Sequence, residues 1–268
     1  MYHHLYENKV ELRSKGFAVG CRIEHPREKI DQIQHGKFYK SEYLGAAKYK
    51  LNFYNKETAK GTYSFCMCPG GIIAPCATEP GEVVTNGWSP SKRNNPYANS
   101  GIVVSVTPKD LPNYSKDNPF VCLEFQQEVE KACWEAAGKT QQVPAQRMVD
   151  FVEGRVSKDL PKTSYQPGLT SLDLNTVLPD LLSVRLQKAF KAFGKKMKGY
   201  YTNTAVLHAP ESRTSSPVSI PRDTETLEHI EISGLYPCGE GAGYAGGIIS
   251  AAIDGINCVD AIAKLYKL

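Results

Sequence analysis

A chain of 268 residues with 41% hydrophobic and 22% charged side chains has the balance of an ordinary globular protein, long enough for one large domain or two modest ones. Its formal net charge of +4 is too small to argue for a nucleic-acid partner. No apolar run of about 18 residues occurs, and MYHHLYENKV lacks the apolar core of a secretory leader, so a cytoplasmic protein without a membrane span is expected.

Residues Met1 to Ser14 form a charged, tyrosine-rich segment anchored by Leu5 and Val10. FAVGCRIEHP then reads as a strand stopped at Pro26, followed by a short polar helix through Gln34 that Gly36 would end. AAKYKLNFYN and TYSFCMC alternate as a hairpin around Lys56 to Gly61, and further short strands fit Ile72 to Thr78, Val83 to Asn86 and Ile102 to Thr107. Short strands punctuated by Gly, Pro and Asn predict an α+β fold with a mostly antiparallel sheet or open barrel. At Asn118 the pattern turns helical. Asn118 can cap a helix beginning at Pro119 and ended by Gly138, a second helix fits Ala145 to Glu153, and a third spans about Val177 to Met197. Residues 118 to 199 therefore read as a helical insertion, whose basic end (Lys188, Lys191, Lys195, Lys196, Lys198) suits a solvated face. Strand character returns at Thr204 to His208.

The C-terminal stretch reads as strand, glycine loop and helix. Ile232 to Tyr236 is a short apolar run, Gly239, Gly241, Gly243, Gly246 and Gly247 follow, and from Ile248 apolar residues recur at helical spacing on nearly all sides, which predicts a buried helix. Glycines at this density let a backbone approach a ligand, and the free N–H groups of a helix start favour negative charge. Gly241 to Gly246 spells GxGxxG, but that fingerprint needs a following strand and an acidic residue about 20 residues on. With Leu268 as the last residue, the segment fits instead the terminal strand, loop and helix by which many FAD proteins close on the flavin. A glycine-rich turn feeding a buried helix, with no ligand, is the alternative.

Two other stretches carry chemistry-bearing residues. SFCMCPGG puts Cys66 and Cys68 two apart on a strand. Small buried residues beside a tight turn, a redox thiol pair and a metal site compete there, and no fourth metal ligand is apparent beyond Cys76. The eight cysteines are scattered without a disulfide framework and read as reduced thiols, and the six histidines lack zinc spacing, so no metal site is assigned. In ESRTSSPVSIPRD, Arg213 could hold an anionic substrate or flavin intermediate with Glu211 orienting it, a structural ion pair being the alternative.

Taken together, FAVGCRIEHP, SFCMCPGG, VVTNGWS, ANSGIVVSV, PAQRMVDFVEG, SYQPGL, KKMKGYYTNTAVL, ESRTSSPV and GLYPCGEGAGYAGGIISAAIDGI resemble, in order and over almost the whole chain, the bacterial FAD-dependent dehydrogenases described as uncharacterised NAD(FAD)-utilising dehydrogenases. Trp88 stands where that family has methionine, and Pro210 and Ser212 also depart from it. The resemblance implies an upstream FAD-binding half with a genuine GxGxxG. Residues 1 to 14 would then be its remnant, 15 to 233 the substrate domain and 234 to 268 the closing segment of the FAD domain, making the chain a fragment. It also implies that Gly239, Glu240, Gly241, Gly243, Tyr244, Gly246 and Gly247 line the flavin. Glu211, Arg213, Ser215 and Ser216 would lie near the flavin ring or a small-molecule substrate. FAD is the expected cofactor, NAD(P)H a possible electron donor, and the missing FAD-binding half, in cis or in trans, the expected partner. A flavin-free binding or scaffold domain is the alternative function.

Overall fold

The computed structural model describes residues 1–267 apart from 57, 113 and 116. Residue 57, within the expected Lys56 to Gly61 turn, and residue 268, the last of the expected closing segment, thus lie outside the described residues. In chain order the elements are α1 (Tyr2–Glu7), β1 (Arg13–Ser14), β2 (Phe17–Pro26), α2 (Arg27–His35), β3 (Asn52–Asn55), β4 (Lys60–Cys68), β5 (Ile72–Pro75), β6 (Thr85–Trp88), β7 (Tyr97–Val106), α3 (Val121–Ala136), β8 (Val143–Arg147), α4 (Met148–Glu153), β9 (Leu169–Ser171), α5 (Asp180–Lys196), β10 (Val206–Glu211), β11 (Val218–Ser219) and α6 (Ile248–Tyr266). They fall into two compact units. One comprises Met1–Ala18, Val106–Gln126 and Arg213–Leu268; the other comprises Val19–Ser105 and Gln127–Ser212.

The second unit is built on an open, seven-stranded sheet in the order β3-β4-β7-β2-β10-β8-β9. Pairing is antiparallel at β3–β4, β4–β7, β2–β10 and β10–β8 and parallel at β8–β9. The fold is thus α+β with a mostly antiparallel open sheet, as the strand pattern predicts. The hairpin of β3 and β4 aligns Asn52 with Tyr63 and Asn55 with Lys60. Strands β8 and β9 were not legible in the sequence, because VPAQR and LTS are too short to show an alternation. They lie within residues 118 to 199, so that stretch adds two strands to the sheet besides carrying α3, α4 and α5. The expected helix from Ala145 begins only at Met148, the residues before it being spent on β8.

Strand β2 is the inner member, buried at every position but its last. Side chains of a strand alternate between faces, so Arg22 and Glu24 project to one side of the sheet and Cys21, Ile23 and His25 to the other. Gly20 is required where it is: a Cβ there would come within 2.1 Å of the Ile102 carbonyl oxygen of the neighbouring β7. The core includes the inward face of α5, where Leu182, Leu186, Phe190 and Phe193 are fully buried. Edge-to-face ring contacts run from Phe151 to Phe190, then Phe193, then Tyr200.

The first unit packs Val10, Leu12, Phe120, Val218, Ile220 and Ala242 together, with Leu5, Leu123, Ile232 and Leu235 against them. A two-stranded ladder joins β1 to β11. Two expectations for the C-terminus are corrected. Ile232 to Tyr236 forms no strand, because Gly234 takes a left-handed φ of 80° and Pro237 lacks the N–H that a ladder would use. Helix α6 is present but not buried. Ile248, Ile249, Ile253, Ile256, Val259 and Leu265 are exposed, and the helix residues it buries are Asp254 and Cys258. Its inward face is fixed by a polar anchor, Asp254, rather than by its apolar stripe.

Two buried histidines of the second unit set its acid response. His25 donates from Nε2 to the Tyr200 carbonyl at 3.0 Å, and His208 donates from Nδ1 to the Arg22 carbonyl at 3.3 Å. Burial pushes both rings down to about 4, since the charged form would lose its hydration. Below the ordinary histidine range the unfolded chain binds protons that the fold refuses, so stability is lost as pH falls from about 6.5 toward 4. Burial raises the Glu24 carboxyl, which works in the opposite sense at the acid end of that window. Unfolding free energies from urea titrations at about pH 7.5 and pH 5 should differ by about 2 kcal/mol for each histidine, and His208→Asn should remove about half of that difference.

Candidate functional site

An arginine with no exposed surface requires a complete set of acceptors, because an unpaired buried charge is untenable. Arg22 on β2 has that set. Its Nε donates to Glu211 Oε2 at 2.8 Å and its Nη2 to Glu211 Oε1 at 2.7 Å, a two-pronged match of guanidinium to carboxylate. Its Nη1 donates to Asn99 Oδ1 of β7 at 2.6 Å and reaches the Cys66 carbonyl at 3.4 Å and the Cys68 sulfur at 3.9 Å on β4. Nη2 also reaches Asn86 Oδ1 of β6 at 3.4 Å. Gly87 makes room for this head group: a Cβ there would stand 2.3 Å from both Arg22 Nη1 and Asn99 Oδ1. Burial alone would lower the Arg22 pKa, and the Glu211 carboxylate more than offsets it, so the guanidinium stays charged.

Beside this cluster the same face of β2 carries Glu24, which accepts from the Ser164 backbone N–H at 2.9 Å and from the Ser164 hydroxyl. Thr163, the preceding residue, bonds His208 Nε2 at 2.8 Å. The sheet's interior is therefore polar at its middle strands, with Arg22, Glu24 and His208 all hydrogen-bonded there.

In the first unit, the glycine loop is held from behind by Arg222. Its Nη2 and Nη1 grip Asp254 of α6 at 2.6 and 3.1 Å, Nη1 also donates to the Pro237 carbonyl at 2.7 Å, and the guanidinium stacks 3.7 Å from the centre of the Tyr244 ring. Asp254 also accepts from the Gly239 N–H at 2.8 Å. Hydrogen bonds from Arg222 and that N–H hold its carboxyl below the usual range despite partial burial. The N–H of Ile220 donates to the Ala242 carbonyl at 3.1 Å, and the Tyr244 hydroxyl to the Ile220 carbonyl at 3.1 Å. Gly243, at a φ of 90°, packs so close to β11 that a Cβ would lie 2.8 Å from that of Ser219.

Ala242 and Ala245 turn inward, whereas Glu240, Gly241, Tyr244, Gly246 and Gly247 are exposed and Gly239 and Gly243 half-buried. Gly246 has no heavy atom within 4 Å of where a Cβ would stand. This open backbone leads straight into the first turn of α6. An anionic or electron-rich group would find there unpaired N–H donors and the favourable end of a helix dipole.

The ESRTSSPV residues divide between the two units. Glu211 ends β10 in the second unit, almost fully buried, and the arginine gripped by both its oxygens is Arg22. Ser215 and Arg213 are half-buried in the first unit. Ser216 bonds the Tyr2 hydroxyl at 2.8 Å, and that hydroxyl donates to the Gly241 carbonyl at 2.7 Å, so Ser216 and the glycine loop meet through Tyr2. Sequence reasoning missed Arg22, Asn99, Tyr2, Arg222 and Asp254. For Arg22 a signal existed, since a charged residue in the middle of a ten-residue strand must be paired if that strand is central. The pairing of Arg222 with Asp254 leaves no such trace. Among the described residues, no group of three or more His, Cys, Asp or Glu could hold a metal ion, and no helix is long and apolar enough to cross a membrane.

The sequence of the sheet unit supplies the class, that of FAD-associated proteins. Residues 16–214 match the family model of the FAD-dependent protein, C-terminal domain-like, and the chain belongs to that family. A curated relative, an uncharacterised protein of Clostridium beijerinckii, is 41% identical over 269 residues, an alignment that covers 100% of this chain and 50% of the relative. The chain thus spans half the length of the curated relative it matches.

Two substitutions test the geometry. Glu211→Gln leaves the Arg22 charge buried without its counter-ion and should lower the free energy of unfolding of the second unit by about 3–5 kcal/mol, read by urea titration. Asp254→Asn weakens the grip on Arg222 and on the Gly239 N–H, and hydrogen exchange at Gly239 and Tyr244 should accelerate while β2 amides keep their protection.

Proposed function

We propose that this chain forms the substrate-side and closing portion of an FAD-dependent oxidoreductase, in which flavin passes a hydride between a nicotinamide nucleotide and a small-molecule substrate. The observation that carries the reading is the loop from Gly239 to Gly247. It is braced on one side by Arg222, Asp254 and Tyr2 and presents bare backbone on the other, in a chain of an FAD-dependent family. The residues present fit a flavin as one wall of its site. Exposed glycines allow close approach without a Cβ, and the start of α6 offers N–H donors to an electron-rich edge. When bound, the flavin supplies the hydride chemistry, and the protein orients it. In this chain Glu240 stands exposed at the loop to meet polar cofactor groups, and the Arg222 clamp keeps the loop in one conformation, so little ordering cost falls on binding.

The exposed stripe of α6 supports a partner that completes the cofactor site. Burying each isoleucine or leucine stabilises an interface by roughly 1.5–3 kcal/mol, so the six exposed residues from Ile248 to Leu265 could outweigh the cost of association. The partner we infer is an FAD-binding half, in cis or in trans, equivalent to the half of the Clostridium beijerinckii relative that this chain leaves unmatched.

The purified chain would be mixed with FAD, alone and together with that unmatched half of the relative, and passed through gel filtration. Retained visible flavin bands and oxidation of NADH or NADPH are expected with both halves present, and Ile253→Asp with Ile256→Asp should abolish co-elution. Co-elution without flavin would favour the flavin-free binding reading, and the absence of both co-elution and retained flavin would refute the oxidoreductase reading.

A further inference from the structure

The motif SFCMCPGG places the Cys68 thiol and the Cys66 carbonyl against the buried guanidinium of Arg22. In a regular strand Cys66 and Cys68 would share a face, but β4 loses register between Phe65 and Cys68, and Cys66 adopts a left-handed φ of 46°. A residue other than glycine rarely occupies that region, at a cost of about 1–2 kcal/mol. The bulge separates the two sulfurs by environment: Cys66 is exposed and Cys68 buried. The turn that follows seals the inner one, since a Cβ at Gly71 would lie 2.7 Å from that of Cys68. The Cys68 thiol donates to the Cys66 carbonyl at 3.3 Å, and Arg22 Nη1 lies 3.9 Å from the Cys68 sulfur.

This is the electropositive, partly exposed setting in which a thiol becomes a thiolate. A hydrogen bond from the Cys68 thiol, followed by the Arg22 charge, brings Cys66 down to about 6 against the opposing effect of burial. The interaction with the Cys66 side chain and desolvation push Cys68 up, so it keeps its proton. Elsewhere in this unit Cys21 and Cys133 are pushed up by burial together with a nearby carboxylate, Glu211 and Glu130 respectively, the condition of inert core thiols.

We propose that Cys66 and Cys68 form a dithiol site that reduces small disulfides, with Cys66 the attacking thiolate and Cys68 the resolving thiol. The Cys66 sulfur attacks one sulfur of R–S–S–R, a Cys66–S–S–R bond forms, and the first RS⁻ leaves and takes a proton from water. Cys68 then gives up its proton, and its sulfur attacks that of Cys66 and expels the second RS⁻, which is protonated in turn. Two electrons pass from the dithiol to the substrate, leaving a Cys66–Cys68 disulfide and two RSH. The exposed attacker and buried, proton-bearing resolver suit these two steps in that order. The proposal stands independently of flavin binding.

The test treats the purified full chain with hydroxyethyl disulfide, without flavin, and maps cysteines by mass spectrometry. The wild type should lose two hydrogens across Cys66 and Cys68, and that pair should release two thiols beyond those released at other exposed cysteines. Cys68→Ser should trap a mixed disulfide at Cys66, and Cys66→Ser should show neither product, while exposed Cys76 reacts equally in all three. At about pH 6, wild-type Cys66 should react with iodoacetamide about tenfold faster than Cys76, its larger thiolate fraction outweighing its lower intrinsic nucleophilicity. This rate needs no variant to fold. Equal rates at Cys66 and Cys76, or a wild type that stops at the mixed disulfide, would overturn the proposal.

Discussion

The second unit depends on one constraint: a guanidinium in the middle of a buried strand has to be neutralised without water. Arg22 meets it with acceptors drawn from separate elements, Glu211 at the end of β10, Asn99 on β7, Asn86 on β6 and the Cys66 carbonyl on β4. Each partner is usable in one register alone, because a one-residue slip turns a strand's side chains to the opposite face. Desolvating the two charges offsets much of their attraction, so the value of the pair lies in specifying this arrangement more than in net stability. Three adaptations follow from it. Gly87 leaves room for the head group, the β4 bulge turns a carbonyl toward it, and β10 carries its own register shift between His208 and Glu211.

The same constraint accounts for the difference among the thiols. Cys21 lies on the opposite face of β2 from Arg22, within the core, and burial makes its ionisation costly. Cys66 and Cys68 lie near Arg22, whose charge helps to favour the Cys66 thiolate, whereas Cys68, bonded to its neighbour and buried, keeps its proton. Exposure and the Cys68 contact, together with the nearby charge, separate Cys66 from the buried cysteines here.

In the first unit the organising device is a second arginine. Arg222 joins the residues after β11, the start of the glycine loop and the interior of α6 through Asp254. Because Asp254 and Cys258 supply the inward face of α6, its isoleucines point outward. An inward face this polar leaves the helix with an exposed apolar stripe. The chain spans half of its curated relative, and that stripe lies beside the bare glycine backbone.

Much of the local structure was legible in the residues themselves. Alternation in LNFYN and TYSFCMC marks the β3–β4 hairpin, Gly36 at a φ of 56° ends α2, and leucine and phenylalanine spacing places α5 to within a turn. Glycine density likewise marks the loop from Gly239 to Gly247, because backbone freedom is a property of the residue. Long-range choices were not legible. VPAQR is neither apolar nor alternating enough to announce β8, and it becomes a strand because β10 offers it a ladder edge. The apolar stripe of α6 suggested burial, yet which face turns inward was decided by Asp254 meeting an arginine 32 residues earlier in the chain. Glu211 was visible as a charged residue near Arg213, but its grip on Arg22, 189 residues away, arises when β2 and β10 pair. Period, capping and turn chemistry act over a few residues and so are written in the sequence. The partner of a buried charge is fixed by whichever strands become neighbours, and that is settled in three dimensions.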